Sequence, residues 1–365
     1  MSKAAELAAL IANVNKGSSL ANKNFIINGA QNVAQRATSS TGIGASSGYF
    51  TTDRMQIVSE NTAGRLTMEQ VADGPDGFAN CTKLTCTTAD TSIASNEPLI
   101  LNQNIEGQNL QSLKKGTSNA VPVTVSFYVK ANASATYTIE LKSGDGGTNR
   151  MNSHEFSVTT GWARVTKTFV GDTTQELDDD NNTSIQFNLW LHAGSDYTGG
   201  THTDNVWHTT NNQRVGDSQT SFFDSTSRTF FITGIQMEIG EKATEFEHEP
   251  YERTLAKCQR YYNKWLADTT YDAFAPGYFH AADQFYSLYE FPVQMRQEPT
   301  IGTGGSFVIH SGSDIACGSL IVNRATPSNM QTYSDQSGAN GTALAGGAIR
   351  TNNDDDAYVE FKAEL

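Results

Sequence analysis

The chain has 365 residues, with 25 basic against 39 acidic side chains and a formal net charge of −14. Neutralising phosphate takes clustered Lys and Arg, so this balance excludes a nucleic-acid surface as the main function. Charged residues make up only 18%, glycines number 31, and no run of about 18 apolar residues exists to insert in a membrane.

Residues 3–14 carry Leu7, Leu10, Ile11 and Val14 at i, i+3, i+4, i+7 spacing, which predicts a short helix with one apolar stripe. A helix of that length is marginal in water unless its stripe is buried. The stripe either packs on its own domain or serves as a docking or oligomer seam, so residues 1–22 are taken as an N-terminal anchor. The segment Met1–Val14 lacks the basic start, continuous apolar run and cleavage site of a signal peptide, and synthesis in a cytoplasm is expected.

From Phe25 to about Phe246 the pattern changes to period two, broken by Gly, Asn, Asp and Ser clusters, as in many short antiparallel strands. Val123, Val125, Phe127 and Val129 alternate with polar neighbours. Tyr137, Ile139 and Leu141 do the same ahead of an Asp145-Gly146-Gly147 turn, and so do Ile185, Phe187, Leu189 and Leu191, then Ile235, Met237 and Ile239. Residues 23–250 are therefore expected to form a β-sandwich. Cys81, Cys86, Cys258 and Cys317 show no metal spacing and are expected as free thiols.

Pro250 precedes a stretch of helix formers, which predicts a linker helix over residues 251–265. Residues 266–365 then give a second, smaller β unit. Its strands are expected at 285–293, 306–310 and 319–323, and at 357–365, which alternates throughout. The chain as a whole is expected to be all-β.

Motifs for catalysis are absent from the sequence: there is no Walker A loop, no His-Glu-x-x-His, and neither a Gly-x-Ser-x-Gly elbow nor a Gly-x-Gly-x-x-Gly between a strand and a helix. No catalytic residue, metal ligand or cofactor is assigned. The runs Asp178–Asn182 and Asn352–Asp356 lack the spaced ligands of an EF-hand and are expected to be solvated turns. The strand 184–192 offers a binding surface instead. With Ile185, Phe187, Leu189 and Leu191 facing the core, Gln186, Asn188, Trp190 and His192 form a row on the other face. An exposed indole there would stack on a sugar ring while the amides take its hydroxyls, and Tyr197, Asp204 and Trp207 in the next loop would extend the site. The alternative is that Trp190 is covered by that loop or by another subunit. A second place for binding is the region 266–350, which carries Tyr271, Phe274, Tyr278 and Phe279 among Gly/Ser/Asn-rich loops.

The order of short motifs resembles a family of tail-fibre and appendage proteins from tailed bacteriophages of marine bacteria, such as those of cyanophages. The motifs are Asn24-Phe25-Ile26-Ile27-Asn28-Gly29-Ala30, Asp53-Arg54, Gln103-Asn104-Ile105-Glu106-Gly107, Thr124–Ala131, Trp162, Gly234–Gly240, Ala243–Glu247 and Cys258-Gln259-Arg260-Tyr261-Tyr262. Phe291–Arg296 with Pro299-Thr300 extends the resemblance into the second unit. Two positions depart from it: Met55 stands where the family has Trp after Asp-Arg, and Gln31 where it has Met after Gly-Ala. The resemblance implies a jelly-roll sandwich of carbohydrate-binding type and a homotrimeric virion protein without catalytic residues. Its expected partners are other virion proteins, met through the N-terminus, and a host-surface glycan. A tail fibre or receptor-binding subunit is the first expectation, a capsid fibre or decoration protein the second, and a glycan depolymerase the third.

Overall fold

In a computed structural model, which describes residue 3, residues 22–336, residue 338 and residues 340–365, the chain divides between Thr254 and Leu255 into two compact units. The expected N-terminal helix, with Leu7, Leu10, Ile11 and Val14, lies outside the described residues. Among the described residues the fold is all-β apart from short helical turns and one helix, Tyr251–Gln259.

The first unit holds β1 (Ser39–Ile43), β2 (Gly48–Tyr49), β3 (Gln56–Ser59), β4 (Arg65–Val71), β5 (Cys81–Thr88), β6 (Pro98–Glu106), β7 (Val123–Ala131), β8 (Ala135–Ser143), β9 (Arg150–Val158), β10 (Ala163–Phe169), β11 (Thr183–Ala193) and β12 (Thr229–Ile239). They form two six-stranded sheets, ordered β1-β4-β5-β12-β7-β10 and β2-β3-β6-β11-β8-β9. The chain crosses repeatedly between the sheets, as in a jelly roll. Period-two alternation puts Val125, Phe127 and Val129 of β7 against Ile139 and Leu141 of β8 and Phe187, Leu189 and Leu191 of β11 in one shared core. The alternation of β12 contains a break that the sequence hides. Phe230 and Ile232 face the core, then Ile235 and Met237 do, although the parity has changed. A bulge between Thr233 and Gln236 absorbs the extra residue. Gly234 makes it possible with φ +63°, where a Cβ would stand 2.8 Å from the Phe78 ring and 2.9 Å from that of Tyr128.

The helix expected over 251–265 ends at Gln259. Tyr262–Leu266 is instead a strand, β13, because its aromatic residues gain burial by pairing with Tyr358–Lys362. The second unit continues with β14 (Ala273–Ala281), β15 (Gln284–Glu290), β16 (Thr300–Gly304), β17 (Phe307–His310), β18 (Asp314–Ala316), β19 (Ile321–Ala325), β20 (Asn329–Asp335), β21 (Gly346–Thr351) and β22 (Tyr358–Lys362). A three-stranded sheet, β13-β22-β16, and a seven-stranded one, β18-β17-β21-β14-β15-β20-β19, share a core that includes Tyr289, Met330, Val359 and Phe361. The second unit is thus the smaller sandwich that the sequence predicts. The four cysteines are free.

Candidate functional site

The row expected on β11 has the expected parity and the opposite exposure. Ile185, Phe187, Leu189 and Leu191 point into the core, and Trp190 points away from it, yet Trp190 is 0% exposed. Asn188 and His192 are buried as well. Residues 194–224 fold back over this face: the Gln219 side chain donates to the Trp190 carbonyl (2.9 Å), Gly216 N–H to Thr138 Oγ1 (3.1 Å) and Phe222 N–H to the Leu191 carbonyl (2.8 Å). The exposed indole is therefore corrected to a covered one, by the loop named as the alternative.

The physical reason lies one strand away. Glu140 of β8 stands opposite Asn188 in the register and is fully buried. A carboxylate held away from water must be paired and hydrogen-bonded. The loop supplies Arg214, whose Nε and Nη2 donate to Oε1 (2.7 Å) and Oε2 (2.9 Å). Asn188 (2.9 Å) and the Trp190 indole N–H (3.0 Å) donate to Oε2 too, and the guanidinium lies 4.7 Å above the Trp190 ring. Burial opposes the charge on Glu140, but Arg214, Asn188 and Trp190 outweigh it and hold the carboxyl below its ordinary range. Tyr197 closes the stack against Trp190 at 4.9 Å between centroids. Gln186 donates to Asn104 (3.0 Å), and His192 sits between Ser221 Oγ (2.7 Å) and Glu97 (3.2 Å). Trp190, Asn188 and His192 are thus spent on buried contacts with the loop and its neighbours, whereas the partly buried Gln186 bonds across to β6.

Asp204 and Trp207 lie apart from that stack. The Trp207 indole donates to the Val170 carbonyl (2.7 Å) and borders a cavity of about 20 Å³ lined by Leu113, Leu141, Phe169 and Ile185. That volume has room for about one water molecule and none for a sugar. Asp204 belongs to a Ser-His-Asp sequence of contacts, with Ser153 Oγ 2.9 Å from His202 Nε2 and His202 Nδ1 3.6 Å from Asp204 Oδ1. Ser153 is fully buried, so a substrate cannot reach the hydroxyl. Among the described residues no group of three or more His, Cys, Asp and Glu side chains is arranged to hold a metal ion, and no helix is long and apolar enough to cross a membrane.

The open surface is on the second unit. Its core takes Phe285, Tyr289 and Met330 from one side of the seven-stranded sheet, so residues of the other parity face outward. There Tyr278 of β14 pairs with Tyr286 of β15, Tyr286 with Tyr333 of β20, and Tyr333 with Ile321 of β19. The result is one row across four adjacent strands. The Tyr278 and Tyr286 ring planes lie within 20° of parallel with centroids 6.0 Å apart, those of Tyr286 and Tyr333 are tilted at 5.9 Å, and His280 meets Tyr286 edge-on at 5.1 Å; Tyr286 and Tyr333 are half-buried. Tyr278 is 41% exposed, as is Leu288 in the neighbouring row. Gly346 lies opposite Tyr278 and leaves that flank free of a side chain. Amides border the row: Gln284 donates to Asp335 (2.9 Å) and Asn323 to Gln331 (2.6 Å). Sequence reasoning found Tyr278 and missed Tyr286 and Tyr333. The alternation of Gln284, Tyr286 and Leu288 with Phe285, Ser287 and Tyr289 was a usable signal, whereas the cross-strand register was not visible.

No family model and no curated protein matches the sequence. Among solved structures the chain is similar to a CBM4 domain at 15% identity, covering 58% of this chain and 98% of that one with a TM-score of 0.30. It is similar to the enzymatically active domain of tailspike protein 4 of bacteriophage CBA120 at 10% identity, covering 60% and 21%, with a TM-score of 0.33. The CBM22-1 xylan-binding domain of Paenibacillus barcinonensis Xyn10C gives 12% identity, coverage of 61% and 100%, and a TM-score of 0.29. Likeness at this level assigns neither a ligand nor an activity to the chain.

Proposed function

We propose that this chain is a bacteriophage appendage subunit that binds a host-surface glycan through the outer tyrosine face of its second unit. The observation that carries glycan binding is the registered row Tyr278, Tyr286 and Tyr333. Aromatic rings present apolar surface to the C–H face of a pyranose, and the bordering amides accept and donate to its hydroxyls. The resemblance of Asn24–Ala30, Thr124–Ala131, Gly234–Gly240 and Cys258–Tyr262 to phage appendage proteins supports the virion role. In this proposal residues 1–22 anchor the chain to other virion proteins, and the working assembly is a homotrimer. In this proposal the role is binding, and the Ser153-His202-Asp204 contacts are structural, with Ser153 buried.

Purified chain should be retained on envelopes of the host cell, and Tyr286→Ala together with Tyr278→Ala should release it while circular dichroism stays unchanged. Retention equal to that of the unmodified chain would remove the tyrosine face from the function. Antibody labelling of purified phage particles tests the virion role separately, and light scattering that shows only monomer at micromolar concentration would exclude the trimer.

A further inference from the structure

The charge pattern around the tyrosine row narrows the ligand, given that the row is a glycan site at all. The outward face of β14, β15, β20 and β19 carries Glu290 and Asp335, with Asp283 in the turn between β14 and β15, against Arg324 as the one lysine or arginine on those four strands. Arg350, on β21, is held by Asp314 through two contacts of 2.7 Å and lies 5.0 Å over the Tyr271 ring. An anionic polysaccharide would bring carboxylates or sulfates to a surface that repels them, without the arginine forks that such groups select. The row itself runs across the strands, and its two ring-to-ring steps of 6.0 and 5.9 Å make an elongated apolar strip with hydrogen-bonding groups along both sides.

We infer that the ligand is a neutral, unbranched glycan segment lying across the strands from Tyr278 to Tyr333, with successive sugar rings over successive tyrosines. Asp335 and Gln284 act on it as hydrogen-bonding partners for hydroxyls. Asp335 also excludes uronic and sulfated chains. One pyranose would meet one ring, so affinity grows with chain length until the row is filled and then levels off.

The test uses the full chain with cellohexaose and maltohexaose as neutral probes, shorter members of both series, and hexagalacturonate as the anionic probe, with binding followed by calorimetry. At least one neutral series should tighten from the disaccharide to a three- or four-sugar chain. Tyr286→Ala should weaken it about tenfold, and Tyr286→Phe, which keeps the ring, should not. Hexagalacturonate should bind at least about tenfold more weakly, a gap that narrows in high salt and in Asp335→Asn. Hexagalacturonate binding that equals neutral binding and is lost in Tyr286→Ala would overturn the neutral class and leave the glycan site standing. Probe binding that is indifferent to Tyr286→Ala and Tyr278→Ala would overturn the site as well. A change of mass in solution on Tyr286→Ala, without any change in probe binding, would make the row a contact between copies of this chain and overturn both.

Discussion

The outer face of β8 and β11 in the first unit is sealed, whereas the outer face of β14, β15 and β20 in the second is open, although both are sheet surfaces rich in aromatic and amide side chains. The difference turns on one residue. Glu140 puts a carboxylate in the middle of the first face, and a charge so placed is stable under cover only with a complete set of donors. Covering it takes a long loop, and the loop takes Trp190 with it. The second face keeps its carboxylates, Glu290 and Asp335, exposed to solvent, so no buried charge there needs a loop over it. Composition alone does not mark a binding face; the distribution of buried charge decides which aromatic row stays accessible.

Removing Arg214 breaks the sealed face most severely. Arg214→Met leaves Glu140 buried without its counter-charge, which costs about 3–5 kcal/mol. In urea the first unit should then unfold at lower denaturant, and binding at the tyrosine face should be unchanged. The same ion pair contributes to stability in acid. Because Glu140 is held below its ordinary value of 4.5, the unfolded chain takes up that proton first as pH falls. The pair's contribution is complete above pH 4.5 and is lost as pH drops toward the folded value; Glu140→Gln should flatten this part of an acid denaturation curve.

Trp190→Phe sharpens the comparison with a smaller effect. It deletes one hydrogen bond to a buried carboxylate, a loss of about 1.5–3 kcal/mol, and should show in thermal unfolding without altering retention on host envelopes. A loss of retention in that variant, with the fold intact, would return the binding site to the first unit. The smallest change in stability is expected for Tyr278→Ser, within about 0.5 kcal/mol, since the side chain is exposed; its effect should appear in ligand binding alone.

Strand parity was legible in the sequence: the inward residues of β7, β8 and β11 are those that the alternation picks out, and so is the terminal strand β22. Coverage was not legible. Whether Trp190 meets solvent depends on Arg214 reaching Glu140 across a sequence separation of 74 residues, a contact that local pattern does not encode. The end of the helix at Gln259 was missed for a similar reason, because the competing partner of Tyr262–Leu266 lies nearly a hundred residues later. The tyrosine row needed three registers at once, and only Tyr278 stood out among the loops that surround it.

The place of β22 has a consequence for synthesis. It is the central strand of β13-β22-β16, and both of its neighbours leave the ribosome well before it does. Until residues 358–362 emerge, β13 and β16 have no strand between them, and the nascent second unit exposes unpaired edges that favour association with other chains. The first unit has no such dependence on this strand and can close while translation is still in progress. Slow passage through the codons of residues 358–362 would therefore lengthen the period in which a half-built sandwich is open to misassembly, and expression at low temperature with a holdase chaperone should raise the yield of soluble chain.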